Sequence, residues 1–87
     1  MDARGIVGWN LRRLRVARGL SQERLALAAG IDRAYVGRVE RGSENVTIAT
    51  LEAMAVALAV PVADLFVAPE PGAVRPAPLR AGRKMAQ

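Results

Sequence analysis

Cysteine and histidine are both absent from the 87 residues, and together these absences remove most catalytic and metal chemistry. Without thiols there is no disulfide framework, thiolate zinc site or cysteine nucleophile; without imidazole there is no Ser-His-Asp triad. Aromatics are scarce (one Trp, one Tyr, one Phe), and a single Lys accompanies twelve Arg. Acid–base chemistry would rest on carboxylates, Arg, that Lys or that Tyr, a poor set, so neither an enzyme nor a bound metal or cofactor is expected. The longest mostly apolar stretch, residues 53–63, is about half of the roughly 20 residues that a membrane span needs. The start, Met1-Asp2-Ala3-Arg4, opens with an acid and leads into no signal-peptide apolar core. A chain without disulfides and without a membrane segment is expected in a reducing cytoplasm.

What is present is one small domain's worth of chain with a basic balance. Lys plus Arg number 13 against eight Asp plus Glu, giving +5. Residues 1–67 carry nine cations and seven anions, net +2, whereas residues 68–87 carry four and one, net +3. The dominance of Arg suits bidentate contacts to phosphate or guanine, although GC-rich coding also inflates Arg and Ala. A basic balance permits a nucleic-acid partner without requiring one. Four of the five prolines lie in 68–87, where apolar periodicity is lost. That segment is expected to be a disordered basic tail, and 6–67 the folded unit. Arg75, Arg80, Arg83 and Lys84 in the tail would add non-specific phosphate attraction or serve only solubility.

Within 6–67, glycines and capping residues divide the chain into short helical pieces. The first spans 6–18, with Val7, Leu11 and Leu14 at helical spacing and Gly19 as its stop. Ser21 caps 22–29, which Gly30 ends. Asp32 caps 33–41, which Gly42 ends; Thr47 caps 48–59, with Pro61 beyond; a short turn, 62–66, follows. Strand patterns are missing, so the class is all-α.

The second and third pieces are joined only by Gly30, Ile31 and Asp32, too short a link for antiparallel helices, so they cross steeply as a helix-turn-helix. Counting from Gln22, the fourth and eighth places are apolar Leu25 and Ala29, and the fifth is small Ala26. The ninth is Gly30, free to take positive φ; the tenth, fifteenth and eighteenth are apolar Ile31, Val36 and Val39. With Leu11-Arg12-Arg13-Leu14-Arg15, Gly19-Leu20-Ser21-Gln22-Glu23-Arg24-Leu25-Ala26, Tyr35-Val36-Gly37-Arg38-Val39-Glu40-Arg41-Gly42 and Thr47-Ile48, the chain resembles the Cro/repressor-type, or Xre-like, helix-turn-helix regulators. The likeness covers about 6–67 and implies a five-helix, lambda-repressor-like DNA-binding domain that binds operator DNA as a symmetric dimer.

At about 100° per residue from Arg33, Ala34, Gly37, Arg38 and Arg41 fall between about 40° and about 140°, opposite Tyr35, Val36 and Val39. One face of the third helix is therefore apolar. The other spaces Arg33, Arg38 and Arg41 with the small residues Ala34 and Gly37, which let a helix press into a groove. Arg33 and Arg38 are the expected readers of guanine O6/N7, with Ala34 and Gly37 beside the base edges; a merely solvated face is the alternative. Arg41 is expected on a phosphate. Ser21 and Gln22 at a helix start form one backbone-contact set, with Gln22 also implied by the resemblance. Ser43, Asn45 and Thr47 form a second, or else serve only turn and cap chemistry. Arg15 and Glu40 lack opposite charges at i±3 and i±4 and border apolar stripes, so an inter-helix salt bridge is expected between them; the family pattern agrees.

Residues 47–60 contain one charge, Glu52. Ile48, Leu51, Met54, Ala55 and Leu58 form the expected core stripe. Ala49, Ala53, Val56 and Val60, with Val62, Phe66 and Val67, form a second apolar patch. Val56, Val60, Val62 and Phe66 are the expected homodimer contacts; a tolerated Ala-rich face is the alternative. The resulting expectation is a sequence-specific regulator that binds double-stranded DNA as a homodimer at a palindromic operator. The loop Glu44-Asn45-Val46-Thr47 is also similar to that of restriction–modification controller proteins. The rival is an antitoxin-like protein-interaction module with an unidentified protein partner.

Overall fold

A computed structural model describes residues 1–74. The tail cations from Arg75 onward lie outside the described residues. Four α-helices, α1 (Ala3–Ala17), α2 (Gln22–Ala29), α3 (Arg33–Glu40) and α4 (Ile48–Leu58), precede a 3₁₀ helix, Val62–Phe66. The fifth expected helical segment is thus a short 3₁₀ helix, entered through a bond from the Asp64 N–H to the Pro61 carbonyl, 3.0 Å. α1 starts three residues earlier than its apolar pattern indicates, because the Asp2 side chain accepts from the Gly5 N–H at 2.9 Å and caps it.

The other caps follow the same chemistry. Ser21, Asp32 and Thr47 accept from the N–H groups of Arg24, Ala34 and Thr50. At the other ends, all four helices close with the same pair of bonds, from the first left-handed residue and from the one after it back into the last turn. Gly19, Gly30 and Gly42 supply that positive φ, but α4 uses Ala59, φ 57°. The expected α4 end at Ala59 is therefore one residue late: Ala59 has left the helix to make the turn.

α1 packs on α3 and on the 3₁₀ helix, and α2 packs on α3 and α4. Val7, Leu11, Leu25, Ala26, Val36, Val39, Leu51, Met54, Ala55, Leu58 and Leu65 make one core. Ile48, expected in the core stripe, is instead 76% exposed. It is the first residue of α4 and points away from the core, on which Val46 before it and Leu51 after it pack. Two residues that the apolar pattern does not single out fix the packing. Gly8 lies so close to α3 that a Cβ there would collide with the Val39 and Glu40 carbonyl oxygens. Asn10, buried, donates through Nδ2 to the Leu65 and Val67 carbonyls at 3.1 and 2.7 Å and accepts from Arg13 Nη2 at 3.0 Å. It fastens the end of the 3₁₀ helix to α1.

Ala59→Gly should stabilise the domain by about 0.5–1 kcal/mol, the relief of a left-handed alanine less the extra entropy of an unfolded glycine. Thermal unfolding monitored by helical circular dichroism measures this; an unchanged or lower melting temperature would contradict the strained turn.

Candidate nucleic-acid interface

The tight Gly30-Ile31-Asp32 link turns α3 across α2, and the sequence of α3 then sorts its sides. Val36 and Val39 are buried, and Tyr35 is half-buried. Arg33, Ala34, Arg38 and Arg41 are exposed. Gly37 departs from the exposed set in which the helical wheel puts it: it is buried beneath the side chains of Gln22 and Arg41. A Cβ there would stand 3.3 Å from Arg41 Nη1 and 3.8 Å from Gln22 Oε1. The absence of a side chain at 37 gives these two polar groups a floor to lie on.

Beneath that surface runs a buried polar network. Arg15 Nε donates to Glu40 Oε2 at 2.6 Å, and Arg15 Nη2 to Glu40 Oε1 at 3.1 Å. Both residues are only 3% exposed. Arg15 Nη1 also donates to the Leu20 carbonyl at 2.8 Å, and Gln22 Nε2 donates to Glu40 Oε1 at 3.1 Å. Arg12 Nη1 lies 3.9 Å from the same carboxylate. A bidentate pair with its remaining groups satisfied is the form in which a buried ion pair is tolerated. It joins α1 to the end of α3, and Gln22 extends it to the first residue of α2.

On the exposed side, Arg38 Nε donates to Glu44 Oε1 at 2.7 Å, and the guanidinium lies over the Tyr35 ring, 5.6 Å from its centroid. The hydrogen bond to Glu44 raises the Arg38 pKa above its ordinary value. This pairing has no helical spacing to announce it, because Glu44 lies beyond the end of α3 and reaches back across Gly42 and Ser43.

The expected backbone-contact residues occupy two helix ends. Ser21 is exposed at the start of α2, its oxygen accepting from the Arg24 N–H, and Gln22 follows it half-buried. In the loop after α3, Ser43 Oγ donates to the Arg38 carbonyl at 3.1 Å, Thr47 Oγ1 donates to Thr50 Oγ1 at 2.9 Å, and Asn45 Oδ1 accepts from Arg4 Nη1 at 3.4 Å. All three loop residues are exposed, and each makes an internal bond as well.

A second surface is mostly apolar, with Glu52 the charged residue in its lining. Ala28 and Ala29 of α2, with Ala53, Val56, Val60 and Val62, line a groove, and Val56 is 78% exposed. Phe66, half exposed on the 3₁₀ helix, is not part of its lining. Among the described residues, no helix is long and apolar enough to cross a membrane.

Removing one partner of the Arg15–Glu40 pair leaves the other charge buried without compensation. Arg15→Ala should therefore cost about 3–5 kcal/mol of unfolding free energy, and the Arg15→Met/Glu40→Leu double substitution clearly less. Urea unfolding of the three proteins tests this; equal losses in the single and double variants would rule out the pair as the source.

The helix-turn-helix family profile matches residues 11–65, which contain the whole of α2, α3 and α4. A hypothetical transcription factor of Neisseria meningitidis is 42% identical over 69 residues, 79% of this chain and 65% of that protein. The chain thus spans just under two thirds of the length of that relative. Control protein C.SmaI of Serratia marcescens is 45% identical over 66 residues, 76% of this chain and 79% of that one. The crystal structure of the restriction–modification controller protein C.AhdI of Aeromonas hydrophila is similar with a TM-score of 0.71 and 48% identity, over 72% of this chain and 96% of that chain. With α2 and α3 crossing on a glycine turn and an arginine-bearing α3 face open to solvent, the chain belongs to the Xre-like helix-turn-helix family of DNA-binding transcriptional regulators.

Proposed function

We propose that the protein is a sequence-specific transcriptional regulator that occupies a palindromic operator as a homodimer, with α3 in the major groove. The observation that carries this reading is the division of α3: buried valines on one side, and Arg33, Ala34, Arg38 and Arg41 exposed on the other. In this reading Arg33 and Arg38 contact guanine O6/N7, and Ala34 lies against the base edges. Gly37 acts at the same surface by letting Gln22 and Arg41 lie close to the helix, where they meet phosphate oxygens. Ser21, Ser43, Asn45 and Thr47 complete the backbone contacts, which position the helix without reading sequence. The apolar groove and its exposed Val56 support a dimer through Val56, Val60 and Val62, with Phe66 at the margin; a two-fold pair would present two α3 helices to half-sites about one DNA turn, or a multiple, apart. The folded unit acting in this way is 6–67.

A narrower reading is favoured by the relatives. C.SmaI and C.AhdI are control proteins of similar compact length, which supports a controller role in a restriction–modification system. The regulated promoter would then lie beside a restriction or methyltransferase gene.

Arg38→Ala should relax base preference at one position per half-site and weaken operator binding by about 1–3 kcal/mol. Binding of the wild-type chain should weaken steeply with salt, with a log–log slope of about −0.9 per phosphate contacted. Unchanged base preference would refute the assignment of Arg38, and a flat salt dependence would favour a protein-interaction module instead. Val56→Glu should shift sedimentation equilibrium toward monomer and weaken operator binding while leaving the helical content unchanged. A Val56→Glu protein that remains dimeric would exclude that groove as the interface.

A further inference from the structure

We infer that Glu44 is a specificity-determining positioning residue, which holds Arg38 by its Nε edge so that the opposite edge of the guanidinium reads guanine rather than settling on phosphate. The inference rests on the assignment of Arg38 as a base reader and deepens it.

Three observations converge on this cluster. Arg38 Nε donates to Glu44 Oε1 at 2.7 Å, while Nη1 and Nη2 have no protein partner among the described residues. The Tyr35 ring covers one face of the guanidinium. The loop that carries Glu44 is itself tied to Arg38: the Ser43 N–H and Oγ both donate to the Arg38 carbonyl, at 3.0 and 3.1 Å. The carboxylate therefore has a defined place beside the side chain it holds. An arginine offers two edges for bidentate contact, and Glu44 occupies the one that includes Nε. The Nη1/Nη2 edge remains, and it matches the O6/N7 pair of guanine.

The charge of Glu44 supplies discrimination as well as orientation. A neutral guanine edge can accept from Nη1 and Nη2 without displacing the carboxylate. A phosphate oxygen drawn to Arg38 meets a second anion beside it and is repelled. Glu44 thus disfavours non-specific seating of Arg38 more than it disfavours the specific contact, and specificity is a difference of affinities. Without Glu44, the long side chain is free to reach the nearest phosphate.

The test uses the full chain and two duplexes of equal length, one recovered by selection from a random-sequence library with the wild-type protein, the other of random sequence. Glu44→Ala should bind the random duplex more tightly and lose about tenfold in discrimination at the base pair that Arg38 reads. Glu44→Gln, which keeps an acceptor for Nε but removes the charge, should also gain affinity for the random duplex while retaining part of the base preference. Both variants should melt close to the wild-type temperature. Loss of preference in Arg38→Ala with none in Glu44→Ala would overturn the role of Glu44 alone. An equal loss of affinity for both duplexes with a lowered melting temperature would reduce Glu44 to a structural residue and also overturn it. Unchanged preference in Arg38→Ala would remove the Arg38 assignment, and the inference with it.

Discussion

The position of α3 depends on one buried ion pair. Arg15 grips both oxygens of Glu40 in the interior, and Glu40 is the last residue of α3. A hydrophobic contact at that point would tolerate sliding or rotation of the helix; a bidentate guanidinium–carboxylate pair tolerates neither, because its geometry is planar and directional. The same carboxylate holds Gln22. The first residue of α2 and the end of α3 are therefore set by one anion, so the two sides of the surface proposed to meet DNA cannot shift independently. Gly8 completes the constraint from the α1 side, where nothing larger fits against the Val39 and Glu40 carbonyls.

With the buried side of α3 fixed in this way, its outer side is free to carry charge that the core does not require. Arg33, Arg38 and Arg41 are not core residues, and Arg38 is tied to a neighbouring anion, Glu44. Two features outside α3 are unfavourable for the domain on its own. Ala59 takes a left-handed conformation that glycine would adopt more readily, and the α2–α4 groove leaves Val56 in water. A domain of this size buries a small core, so an apolar surface beside that core is also a place where a second copy would add stability.

Much of this architecture was legible in the sequence because it is written in local chemistry. Ser21, Asp32 and Thr47 mark helix starts, and Gly19, Gly30 and Gly42 mark stops, by interactions that reach only three to five residues. The isolation of Arg15 and Glu40 from opposite charges in their own helices pointed to an inter-helix pair. The features that escaped depend on distance in space. Asn10 looks like an unremarkable polar residue on α1 until the 3₁₀ helix folds back and offers it the Leu65 and Val67 carbonyls. Ile48 fits the apolar stripe of α4 by periodicity, yet it stays exposed while Val46 before it and Leu51 after it pack on the core. Gly37 falls on the outer side of the wheel, yet Gln22 from another helix and Arg41 cover it. Glu44 lies past a glycine turn, where helical periodicity says nothing about what it faces.

Methylation interference distinguishes the grooves directly, because dimethyl sulfate modifies guanine at N7 in the major groove and adenine at N3 in the minor groove. On a duplex selected by the protein, the account predicts that N7-methylated guanines are excluded from the bound fraction in two symmetric clusters, about one helical turn or a multiple apart. Exclusion of N3-methylated adenines alone, or no exclusion at either atom, would contradict major-groove reading by α3.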